Sequence, residues 1–192
     1  MTEPQLSASH LDMARSWLVR NGSVLFCGMP AAVDDTVVDG LVRDMDGRRV
    51  LDCRGRPADT DRPLSALISL LSSVDEREAA GLPLQYRRIL ADAIFRPAPR
   101  TPSVALLGPA VLGLLRLLSR AAPLLLVPGS VHGLDCETRR VLQFVAERVD
   151  GLPIHMVAVE DVRGLPTPEG QRLCPPPLVM VWLSPPPDPS LN

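Results

Sequence analysis

Short apolar runs alternate with amphipathic stretches along this chain, and that alternation narrows the possible folds more than any single motif does. Runs at residues 23–27, 49–53, 124–127, 154–159 and 178–183 have the length of strands. The run Leu124, Leu125, Leu126, Val127 is continuously apolar, as a strand covered on both faces must be. Between the runs lie segments with helical spacing. Residues 6–20 place Leu11, Ala14, Leu18 and Val19 on a leading helix that stops at Asn21 and Gly22. Further helices are expected at 36–45, at 62–73 through Leu64, Leu67, Ile68 and Leu71, and at 84–94. The longest, 103–122, is interrupted by Pro109, which should kink it or begin it. Asp135 is the expected N-cap of the next helix, with Val141, Leu142, Val145 and Val149 on its buried face. Strands separated by helices need crossover connections, so the sequence predicts an α/β fold: a three-layer sandwich around a mainly parallel five-stranded sheet. The organisation read from this pattern is a helix at 1–22, one α/β domain at 23–183 and a proline-rich, extended tail at 184–192.

Composition limits the chemistry. The chain has 192 residues, 46% hydrophobic, with a formal charge of -2, enough for one well-buried domain and too little for two large ones. All 20 basic residues are Arg, and the chain contains no Lys, which excludes a phosphate-loop Lys, a Schiff-base Lys and a Lys general base. There is no basic stripe, so no nucleic-acid partner is expected. The four cysteines, Cys27, Cys53, Cys136 and Cys174, lack any C-x-x-C pairing and read as packed thiols in a reducing compartment, with no metal expected. The N-terminus shows no basic-then-apolar leader, and the most apolar segment is broken by Pro109 and Arg116 short of the ~20 residues a membrane helix needs. No membrane partner and a cytoplasmic location are the expectation.

The stretch VLFCGMPAAVDDT, residues 24–36, has the strand, loop, helix outline of a phosphate-binding P-loop. Its residues do not supply the chemistry. With Gly28 as first glycine, Val33 stands where the second belongs, Asp34 replaces the Lys and Asp35 the Ser/Thr that holds magnesium. Two carboxylates there repel a polyphosphate.

Other phrases add to the outline: residues 50–55 followed by Pro63, Leu64, Leu67 and Leu71; LPLQYRRILADAI at 82–94; and Pro123 to Asp135 followed by TRRVLQFVAERV. Together they resemble the nucleotide-binding domain of the large ATP-binding LuxR-type regulators of actinobacteria, members of the signal-transducing P-loop ATPases. The resemblance spans roughly residues 23–183 and implies a P-loop NTPase-like fold. In that family a stretch like PLLLV precedes two acidic residues, then a small residue, His or Gln, Trp, Leu and Asp. Here the segment reads Pro128, Gly129, Ser130, Val131, His132, Gly133, Leu134, Asp135. The resemblance thus places Gly129 and Ser130 at the former magnesium-binding and catalytic carboxylates, and Gly133 at the Trp. Phosphoryl transfer rests on positioning and charge neutralisation, so losing these groups together with the Lys predicts no ATP hydrolysis and no nucleotide cofactor. The chain ends after the last strand, so the helical lid, repeat arm and DNA-reading helix-turn-helix of the full regulators are not expected in it.

The candidate residues have structural as well as chemical readings. Asp34 and Asp35 suit the start of a helix, and Asp135 suits an N-cap, where carboxylates favour the macrodipole. His132 lies in a Gly-flanked loop at the end of a central strand, where open α/β sheets bind ligands. Cys27 reads as a packed thiol and His155 as a strand residue bonded within the core. Two functions follow. One is a pseudo-ATPase that acts as a binding, scaffold or regulatory protein, through a protein partner or self-association. The other is a repurposed enzyme of a secondary-metabolite pathway, for example a cyclase or isomerase. Its small organic substrate would fill the emptied nucleotide site, with Asp34, Asp35, His132 and Asp135 as acid or base groups. Residual nucleotide binding without hydrolysis is a third.

Overall fold

A strand forms at every apolar run: β1 (Ser23–Gly28), β2 (Arg49–Asp52), β3 (Leu124–Ser130), β4 (Ile154–Asp161) and β5 (Leu178–Trp182). The computed structural model describes residues 8–28, 35–43, 45, 47–52, 61–95, 103–161 and 168–183. The strands make one sheet in the order β2-β3-β4-β1-β5. Every pairing is parallel. Parallel neighbours need crossovers, and these are the helices α1 (Ala8–Val19), α2 (Asp35–Arg43), α3 (Ser65–Ser72), α4 (Leu84–Leu90), α5 (Val104–Leu118), α6 (Cys136–Ala146) and α7 (Pro168–Leu173).

The chain leaves β1 toward one edge of the sheet at β2 and then works back across it. Right-handed crossovers put helices on opposite faces when the direction reverses. Alternate residues of the strands therefore serve two cores. On one face Val24 and Phe26 of β1 pack with Ala14 and Leu18 of α1 and Val38 and Leu41 of α2. On the other, Leu25 and Cys27 pack with α3, α5 and α6 through Leu67, Leu114 and Leu142. The result is a three-layer α/β sandwich of the P-loop NTPase-like type, as the strand and helix pattern predicts.

Several element bounds differ from the sequence reading, each for a local reason. β3 continues past Val127 because Pro128 and Gly129 are absorbed in a register shift between Leu126 and Gly129, with Gly129 at φ 72. α3 starts at Ser65 rather than 62 because Leu64 takes the left-handed conformation, φ 62, where a helix cannot continue. The helix expected at 84–94 is α4 followed by a π-helical turn, Ala91–Phe95. Pro109 lies inside α5, which begins at Val104 and not at the proline; buried Leu107, Ala110, Val111 and Leu114 hold the helix on both sides. At Gly108 an added Cβ would come within 2.9 Å of the Phe144 ring, which is how closely α5 and α6 approach. Among the described residues no helix is long and apolar enough to cross a membrane.

Candidate functional site

An all-parallel sheet collects the carboxyl ends of its strands at one edge. Here those ends are Gly28, Asp52, Ser130, Asp161 and Trp182. After β1 the chain enters α2 on one face, whereas after the adjacent β4 it enters α7 on the other. Such a switch point opens a crevice beyond the strand ends, where ligands bind in open α/β sheets. Gly28 and Asp161 are register partners at that point.

Gly28 has a packing reason to be glycine: a Cβ there would sit 3.0 Å from Leu183 Cβ, tighter than side chains ordinarily approach. Val33 and Asp34 lie outside the described residues. Asp35 is the first residue of α2, and its side chain is likewise outside the description. Gly129 is left-handed and follows the slip in β3, a place where a side chain costs backbone strain. Ser130 ends β3, half-buried.

His132 and Asp135 lie three residues apart in entirely different surroundings. His132 is exposed in the short 3-10 turn Val131–Gly133. Asp135 is 2% exposed. Its Oδ1 accepts from the backbone N–H of Thr138 at 2.9 Å and of Leu64 at 2.9 Å. Its Oδ2 accepts from the Thr138 hydroxyl at 2.6 Å, the Ala66 N–H at 3.4 Å and the Ser65 hydroxyl at 3.5 Å. Thr138 Oγ1 in turn accepts from the Leu67 N–H. The expected N-cap of α6 is thus also the acceptor for the first turn of α3, and it holds Leu64 in its left-handed conformation.

The carboxylates at the end of β4 escaped the sequence reading. Glu160 is fully buried and is the register partner of Cys27, so the two side chains are neighbours on the α7 face. Gly170 of α7 covers Glu160: a Cβ on Gly170 would overlap its carboxylate. Burial, and then the nearby Glu160 charge, push the Cys27 thiol up to about 12, which keeps it protonated and chemically inert at neutral pH. Cys174 is raised by the same burial. Asp161 is half-buried, and its Oδ1 has no hydrogen-bond partner among the described residues. The pair terminates the run VAVED, a signal read only as the end of a strand.

His155 sits at the opposite, amino end of β4. It is 2% exposed, and its Nε2 finds no hydrogen-bond partner among the described residues, contrary to the expected bond within the core. Burial, with Arg48 nearby, lowers its pKa to about 4, so it is held neutral. Arg48 itself reaches the Leu18 carbonyl at 2.8 Å. No group of three or more His, Cys, Asp or Glu among the described residues is arranged to hold a metal ion. Compared with known proteins, the chain matches no protein-family model and no curated protein.

Proposed function

We propose that this domain is a non-hydrolysing pseudo-ATPase, a degenerate relative of the LuxR-type nucleotide-binding domain, that works in the cytoplasm as a binding, scaffold or regulatory protein. The observation that carries the reading is the charge at the carboxyl edge of the sheet. The switch point presents Gly28 beside Asp161, with Asp34 and Asp35 next in sequence, and no strand end is a cation. A triphosphate brought there meets the like charge of Asp161, and no Lys exists anywhere in the chain to serve as a phosphate-loop cation. The position of the lost carboxylate supports the same reading, because Gly129 is held left-handed by the slip in β3. A core kept intact around an emptied site fits selection for a surface rather than for phosphoryl transfer, and the natural partner is another protein.

Of the groups assigned to a repurposed enzyme, Asp135 has both oxygens engaged in the α3–α6 clamp and is removed as an acid or base. The test is phosphate release from ATP with magnesium by the purified chain. The reading expects release at the buffer background, unchanged by protein concentration. Release that scales with protein overturns it, whether or not Asp34→Ala removes it.

A further inference from the structure

The two edges of the sheet are built differently. At the β2 edge the strand is short and carries charge at both ends, Arg49 and Asp52, with Arg49 ion-paired to Glu78 through Nη1 and through Nη2 at 3.0 Å. This is how proteins blunt an edge against pairing with other chains. β5 has none of these devices. Its sequence, LVMVW, is uncharged, free of proline and made of strong strand formers, and Met180 at its middle is 39% exposed.

Main-chain geometry shows which groups of β5 face outward. Ser23 N–H donates to the Pro177 carbonyl at 2.8 Å, and Leu183 N–H donates to the Cys27 carbonyl at 3.0 Å. A parallel ladder alternates, so the odd-numbered residues of β5 spend their main-chain groups on β1. Leu178, Met180 and Trp182 turn their N–H and C=O groups away from the sheet, and among the described residues no strand lies beyond them.

We propose that this edge pairs with β5 of a second copy of the chain, antiparallel about a twofold axis through Met180. The register follows from the alternation. Centring the axis on Met180 sets Met180 opposite itself and Leu178 opposite Trp182, so each outward residue meets another outward residue and exchanges both main-chain hydrogen bonds. A shift by one residue sets outward groups against residues already bonded to β1. The edge is uncharged, so the twofold creates no like-charge contact. The chain's own remaining segments fit worse: 1–7, 29–34, 53–60, 96–102, 162–167 and 184–192 each contain proline, which interrupts a run of donors. A strand pair of this length buries less than the ~1,200 Å² of a standard interface, which sets the expectation at a weak, concentration-dependent dimer. The inference deepens the scaffold reading, naming its partner, and rests on it.

The test is the oligomeric state of the full chain by sedimentation equilibrium, in parallel with the nucleotide assay. Met180→Pro deletes an N–H that points outward and leaves the β1 ladder whole. The wild-type chain should dimerise with concentration, and Met180→Pro should weaken the dimer at least ~10-fold with monomer unfolding unchanged. Should the proline variant fail to fold, Met180→Lys and Met180→Glu answer the same question. Each places like charges opposite one another and should be monomeric, whereas the equimolar mixture should pair. A wild-type monomer at every soluble concentration overturns the β5 dimer, and so does a dimer indifferent to all three substitutions. Either result, with nucleotide binding still absent, leaves the pseudo-ATPase reading standing, and protein-dependent hydrolysis by a dimer removes that reading alone.

Discussion

At the scale of single residues, two buried polar groups, Asp135 and His155, have consequences that can be measured. Asp135 accepts hydrogen bonds from the starts of two helices, so Asp135→Ala strands the Leu64 and Thr138 N–H groups in the interior. Losing a cap and leaving buried donors unsatisfied costs about 3 kcal/mol together. Chemical denaturation should show that loss, and a cost near zero would mean that the clamp is not formed. His155 gives stability a pH dependence. Its pKa is about 4 folded against 6.5 for a free side chain, so the unfolded chain binds the proton more readily between those values. Stability from this group is complete above pH 6.5 and falls with acidification until about pH 4, by about 3 kcal/mol in all. His155→Phe should flatten the curve over that window, measured as denaturation midpoints across pH, and an unchanged slope would assign the acid sensitivity to other groups.

At the scale of elements, hydrophobic period carried the sequence reading and local backbone chemistry limited it. The strands were legible because the three central ones are buried on both faces or nearly so, and such strands read as apolar runs whatever surrounds them. β3 was cut short because Pro128 and Gly129 read as punctuation, whereas the slip in register keeps the strand going to Ser130. α7 has only six residues and no apolar period, and it is recognisable only once Gly170 is seen over Glu160. Glu160 was missed for the same reason: its burial comes from a helix that sequence pattern does not announce. Of the candidate site, Gly28, Gly129 and the cap at Asp135 were legible as positions, but the packing against Leu183, the left-handed φ and the second helix held by Asp135 depend on contacts distant in sequence. Pro109 offers a test at this scale. Within α5 it withholds a donor from the Ala105 carbonyl, so Pro109→Ala should stabilise the chain by about 1 kcal/mol after the added freedom of the unfolded state is set against the restored hydrogen bond. A lower denaturation midpoint would show that the proline shape is itself required by the packing of α5.

For the whole molecule, the parallel sheet collects its strand ends at one edge, and none of those ends is a cation. Under the proposed reading, fold and function separate at the switch point between β1 and β4, as expected when function resides in a site grafted on a common framework. Under the proposed reading, that edge accounts for the absence of hydrolysis and the uncharged flank at β5 for the binding role. The most direct measurement is a native mass spectrum of the intact chain with ATP and magnesium. The account predicts no nucleotide adduct at any charge state, and a stable ATP adduct would contradict it.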